Sequence, residues 1–199
     1  MSLPRLTLRP KRDKRVRAGH PWIFSNELEP GFADLPPGDA VEVFDSKGAF
    51  VGRGLVSPNA LIAVRLYGRG RKEDLDDVWF WGGRIQDALL YRQARWPERT
   101  ALRLINAEGD FLPGLVIDRF GDQVVAQLTT VGTDRRKDLI AEALQKVVGP
   151  KGAVLRNDGR VRELEGLELH SGVWFGDVPD EVVIEEPGVG GPVKFSVPL

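Results

Sequence analysis

Apolar and polar residues alternate with a period of two over several short stretches in the first third of the chain, the spacing of strands with one buried face. Residues 6–8 form a short β-prone run. Val41 and Val43 flank Glu42 in a strand that stops at Asp45-Ser46-Lys47-Gly48, and residues 50–56 read as its hairpin partner. Gly52 and Gly54 flank Arg53 there, which predicts a bulge or a close backbone approach. After a turn at Pro58-Asn59, Ile62, Val64 and Leu66 share one face and Arg65 points to the other. Upstream, Pro21 biases His20 to extended geometry, and Trp22, Ile23 and Phe24 supply apolar surface to anchor the segment. These patterns predict a small all-β unit, a closed or nearly closed barrel.

The period then lengthens. Asp74, Asp76 and Asp77 suit a helix N-terminus, and Val78, Trp81, Ile85 and Leu89 recur at helical spacing until Pro97 stops the run. This helix is expected to bridge two units. Residues 102–105 and 115–117 lie either side of a Glu108-Gly109-Asp110 turn and a Pro113-Gly114 step, the pattern of a hairpin, and residues 123–128 add a strand. Asp134 is expected to cap a helix carrying Leu139, Ile140, Ala143, Leu144 and Val147 and ending at Gly149-Pro150. Strand-like pieces follow at residues 153–155, 167–169, 182–184 and 193–197, with a turn at Asn157-Asp158-Gly159. Strands, helix, strands predicts an α+β unit with the helix on one sheet face. The expected division is a barrel over 1–73, a connecting helix over 74–98 and an α+β domain over 99–199.

Composition narrows the class. A chain of 199 residues, 42% hydrophobic and 29% charged, has the make-up of a soluble globular protein. No apolar run approaches the ~18–20 residues needed to span a bilayer, and no signal-peptide pattern follows the basic N-terminus, so the expected location is the cytoplasm. The absence of cysteine removes disulfides, thiolate metal sites and cysteine nucleophiles together, and two histidines far apart give little to a metal site. The net charge of −1 conceals an asymmetry: residues 1–20 carry seven Lys and Arg against Asp13 alone, while residues 165–199 carry seven Asp and Glu against Lys194. One end is suited to polyanions.

Three candidate chemistries follow. Glu108, Asp110, Asp118 and Asp122 could bind a cation or act as acid and base, yet their spacing fits no ligand pattern and suits turn and cap residues. The Gly188–Gly191 run lacks the helix N-terminus that a phosphate loop requires, since Pro192 and a strand-like segment follow. Nucleic-acid binding has positive support. Arg9, Lys11, Arg12, Lys14, Arg15 and Arg17 precede His20 and Trp22, and Arg53, Arg65, Arg69, Arg71 and Lys72 follow in the same unit. Cations meet phosphates, and exposed rings stack unpaired bases.

The run Arg103, Gly109, Asp110, Leu112, Pro113, Gly114, Leu115, Asp118, Gly121 and Asp122 resembles a signature of bacterial 23S ribosomal RNA methyltransferases. His20-Pro21-Trp22-Ile23-Phe24-Ser25 and Gly52-Arg53-Gly54-Leu55-Val56-Ser57-Pro58-Asn59, with Ile62, Val64 and Arg65, are similar to the PUA domain of that family, and the hairpin signature and residues 156–166 to its central α+β domain. Phe111 departs from the pattern, where glycine is expected. The resemblance implies a protein that uses S-adenosylmethionine to methylate the 5-position of a cytosine in 23S RNA, with a Rossmann-like catalytic domain expected after residue 199. That reaction ordinarily uses a cysteine nucleophile, which this chain lacks, so no catalytic, cofactor-binding or metal-binding residue carries over. The implied role is RNA binding and substrate positioning through Arg9, Lys11, Arg12, Lys14, Arg15, Arg17, His20, Trp22, Arg53 and Arg65. A stand-alone RNA-binding adaptor and a protein-interaction module are the competing expectations. A homodimer is one option for an oligomeric state that the sequence leaves open.

Overall fold

The computed structural model describes residues 2–188 and 191–199. Its first sheet contains β1 (Arg5–Thr7), β2 (Trp22–Phe24), β3 (Ala40–Phe44), β4 (Phe50–Val56) and β5 (Ile62–Gly68) in the order β1-β3-β4-β5-β2. β1 runs parallel to β3, and the other pairs are antiparallel. The ends of this order meet just beyond β1 and β2. Leu8 bridges Leu28, while Arg9 N–H donates to Glu27 O and Glu29 N–H to Thr7 O, so the sheet closes into a barrel. Its interior holds Leu8, Ile23, Val41, Val43, Val56, Ala63 and Val64, all at most 1% exposed.

The glycines around Arg53 explain the expected irregularity. The β4–β5 register shifts between Arg53 and Gly54, and a Cβ on Gly54 would lie 2.5 Å from Arg65 O. The one-turn helix α1 (Lys14–Arg17) interrupts the β1–β2 connection and buries Val16 in the barrel.

Helix α2 (Val78–Arg95) starts where the aspartates place it. Asp77 is the N-cap, its carboxylate accepting from Trp79 N–H at 3.0 Å. The second sheet contains β6 (Ala101–Asn106), β7 (Leu115–Phe120), β8 (Gln123–Leu128), β9 (Gly152–Asn157) and β10 (His170–Gly176) in the order β10-β9-β8-β7-β6. β8 and β9 are parallel and joined through α3 (Val131–Asp134) and α4 (Lys137–Val147). β11 (Glu181–Glu186) and β12 (Val193–Pro198) form a separate two-stranded ribbon. Among the described residues no helix is long and apolar enough to cross a membrane.

Two expectations need correction. Asp134 is not a cap: Thr130 caps α3 in a reciprocal box with Thr133, and Asp134 instead accepts from Arg162 at 2.9 Å. Residues 167–169 are not a strand. Arg160–Glu165 form a 3-10 turn ended by left-handed Gly166, and the extended segment begins at His170. Helix α2 packs along α4 and against β6, and Trp81, Ile85, Ala88 and Leu89 join one core with Ile117, Leu128, Ile140 and Leu144. Ala40, Leu55, Tyr67 and Leu75 from the barrel side enter that same core.

Candidate nucleic-acid interface

The basic segment is held at three points. Arg12 N–H donates to Arg9 O at 3.1 Å across a turn with Pro10 and Lys11 at its centre. Pro10 presets its φ, and Lys11 adopts φ +67°, the left-handed geometry that a type II turn demands and that favours glycine. Buried Val16 pins α1, and Arg9 Nε donates to Leu28 O at the closure of the barrel.

Its cations divide into two groups. Arg15 donates to Glu27 Oε2 at 2.7 Å and to Trp22 O at 3.0 Å, and Glu27 also accepts from Phe24 N–H. Arg17 pairs with Asp13 and Asp45. Asp45 is fixed by the β3–β4 turn, where the N–H of Ala49, with Arg17 and the N–H of Lys47, holds its carboxyl below the ordinary value. Arg9, Lys11, Arg12 and Lys14 are exposed and have no carboxylate within ion-pair distance among the described residues. These four are the free charges.

His20 accepts at Nδ1 from Trp22 N–H at 3.1 Å and from Arg15 Nη1 at 2.9 Å, which places the ring proton on Nε2. Burial first, and the Arg15 charge second, push its pKa below the ordinary value. Its ring meets Trp22 edge-on at 5.5 Å. Trp22 is half-buried, and its Nε1 donates to Glu108 Oε1 at 2.7 Å, tying the barrel to the turn after β6.

Arg53 and Arg65 lie apart from this surface in their interactions. Arg53 reaches Glu42 and Glu73 O, and Arg65 pairs with Glu165 at 2.8 Å with side-chain exposures of 12% and 3%. Neither is a free cation. Two further arginines belong near it: Arg5, and Arg71, which the sequence counts among the basic residues of this unit but not among the final site residues. Arg5 lies 3.8 Å over the Phe44 ring, and Arg71 lies 5.0 Å over Phe50, beside the turn that Arg17 contacts through Asp45. Arg5 reaches Phe44 only because β1 pairs with β3, a long-range fact with no local signal.

The carboxylates of the second unit are occupied. Asp110 holds Arg92 in a two-point pair and accepts from Asn106 N–H, Asp118 holds Arg103, and Asp122 holds Lys151. Pro113-Gly114 faces the barrel. Tyr67 donates to Pro113 O, and a Cβ on Gly114, at φ +79°, would lie 2.5 Å from Thr130. The signature residues are thus turn, clamp and interface residues. A nucleotide cofactor also finds no cradle at the strand-to-helix junction after β8. A Cβ on Gly132 would strike Leu55 at 2.7 Å, so this glycine admits a neighbouring side chain. In the glycine-rich run, Val189 and Gly190 lie outside the described residues.

The closed barrel is the part of the chain that a family model matches. Residues 6–69 match the model of a PUA-like domain. The chain is 38% identical over 187 residues to ribosomal RNA large subunit methyltransferase I of Pseudoalteromonas atlantica, covering 93% of this chain and 47% of that protein. It is 40% identical over 192 residues to the protein of the same name from Aliivibrio fischeri, covering 94% and 47%. A solved structure named as a SAM-dependent methyltransferase from Streptococcus mutans superposes with a TM-score of 0.76 at 19% identity, covering 99% of this chain and 49% of that one. SMU.776, named as a methyltransferase and solved with SAH, gives 0.78 at 21%, covering 99% and 48%. The chain carries a PUA-like domain within an α+β fold. It is homologous over nearly its whole length to these ribosomal RNA methyltransferases, and spans about half the length of the curated relatives it matches.

Proposed function

We propose that this chain is the RNA-binding and substrate-positioning N-terminal portion of an S-adenosylmethionine-dependent methyltransferase acting on a cytosine C5 of 23S ribosomal RNA. The observation that carries this reading is the set of four unpaired cations, Arg9, Lys11, Arg12 and Lys14, presented on the rim of a PUA-like barrel. The names of the relatives supply the substrate class. Catalysis and cofactor binding belong, in this reading, to the remaining half of a protein of the relatives' length. The chain has no thiol, and among the described residues the glycine after β8 is packed against Leu55, so no catalytic step is assigned to this portion.

The test is the salt dependence of binding to single-stranded RNA. Each phosphate neutralised contributes about −0.7 to the slope of log affinity against log salt. Replacing Lys11, Arg12 and Lys14 by alanine flattens that slope by about 2 if each meets one phosphate. An unchanged slope refutes their role. Arg15→Ala behaves differently, because it strands the buried Glu27 carboxylate. It lowers stability by about 1–2 kcal/mol with less effect on the slope, a difference that urea denaturation and binding resolve together.

A further inference from the structure

Two adjoining cavities of about 350 and 390 Å³ run along α2 beside β6 and the turn at Ala107–Asp110, sharing Tyr91, Arg92 and Asn106. None of the free cations of the basic segment lines either one. Tyr91 and Trp96 stand 59% and 46% exposed, their rings edge-to-face at 6.4 Å, and Phe111 at the far end is 64% exposed. Of the other aromatic side chains on α2, Trp81 is buried in the core and Phe80 packs against it, while Trp79 is exposed under Lys146 and lines neither cavity. The charged lining of the second cavity is Arg92, Arg99 and Arg103 with no carboxylate, although each guanidinium is held from outside that lining by Asp110, Glu186 or Asp118. The arginines are therefore fixed, flat and largely neutralised.

Such a groove offers a phosphate little, since its cations are already paired. It offers a nucleobase a great deal: ring faces to stack on, guanidinium planes, and N–H edges complementary to base carbonyl and ring-nitrogen acceptors. We propose that this groove takes one or two unpaired bases of the RNA whose backbone the basic segment engages. The inference rests on the proposed RNA-binding reading and adds a second, chemically different contact to it. Binding then has two separable parts, a salt-sensitive one at the barrel and a stacking one at α2.

The experiment measures affinity for a single-stranded RNA of about 12 nucleotides at low and raised salt, for the whole chain and for Tyr91→Ala, Trp96→Ala and their phenylalanine counterparts. The expected result is a loss of about 5- to 150-fold per alanine substitution, an unchanged salt slope, and affinity retained in the phenylalanine variants. Unchanged affinity in both alanine variants, with RNA binding by the parent chain intact, overturns the groove and leaves the basic segment standing. Failure of the parent chain to bind RNA at low salt overturns the RNA-binding reading itself. Loss of self-association in the alanine variants, seen by sedimentation with RNA affinity unchanged, overturns the proposal and gives the groove to a second copy of the chain.

Discussion

Lys11 stands where a turn asks for glycine and a polyanion asks for a cation. Its left-handed backbone costs about 1–2 kcal/mol relative to an ordinary conformation, and the larger backbone freedom of unfolded glycine offsets part of any relief. Lys11→Gly is therefore expected to leave stability unchanged or raise it by up to about 1 kcal/mol, while weakening RNA binding and reducing the salt slope by about 0.7. Thermal unfolding and binding on the same sample check both halves. His20 gives a pH dependence of defined sign. Its folded-state pKa lies below the unfolded value of about 6.5, so the unfolded chain binds the extra proton first as pH falls. Its contribution is complete above about pH 6.5 and is lost as pH drops from there toward the folded value. Urea midpoints at about pH 7.5 and 5.5 are expected to differ, and His20→Gln removes that part of the difference.

Among the elements, the hairpin of β6 and β7 shows what clamps it. Asp110 receives Arg92 from α2, both side chains only 10% exposed, so Arg92→Met leaves a nearly buried carboxylate without its partner. A loss of about 3 kcal/mol is expected by urea denaturation, partly recovered when Asp110→Asn is added. Phe111 keeps the left-handed geometry, at φ +58°, of the glycine expected there, so the turn survives the departure in sequence. The regular elements were legible because their patterns are local. Val41 and Val43, Ile62 to Leu66, and the Asp77-capped stripe of α2 all announce themselves within a few residues. β10 did not, since its first four residues are exposed and carry no alternation, and its pairing with β9 contains a bulge. The cap at Thr130 was hidden by Asp134, a residue of good capping chemistry drawn instead to Arg162. The site was half legible. Charge counting found the basic segment, but which arginines are spent on Glu27, Asp45 and Glu165 depends on partners 12, 28 and 100 residues away in sequence.

At the scale of the molecule, the barrel and the second sheet are not independent bodies. Leu55 and Tyr67 share a core with Leu128 and Ile140, and Glu165 accepts from Ser57 while pairing with Arg65 across the junction. A single unfolding transition by calorimetry is the expected behaviour of such a shared core. Gly132→Val, which drives two methyls into Leu55, is expected to lower that transition by about 1–3 kcal/mol as a whole, without splitting it into two. The same junction bears on how the protein is made. As the nascent chain leaves the ribosome, the barrel strands are complete by Gly68, yet Ala40, Leu55, Tyr67 and Leu75 wait for partners as late as Leu155. At ordinary translation speeds that interval lasts roughly 4–17 s, during which the newborn barrel shows an apolar flank to its surroundings. A chaperone that shields this flank would therefore act on the chain midway through its synthesis and have nothing left to hold once α4 and β9 arrive.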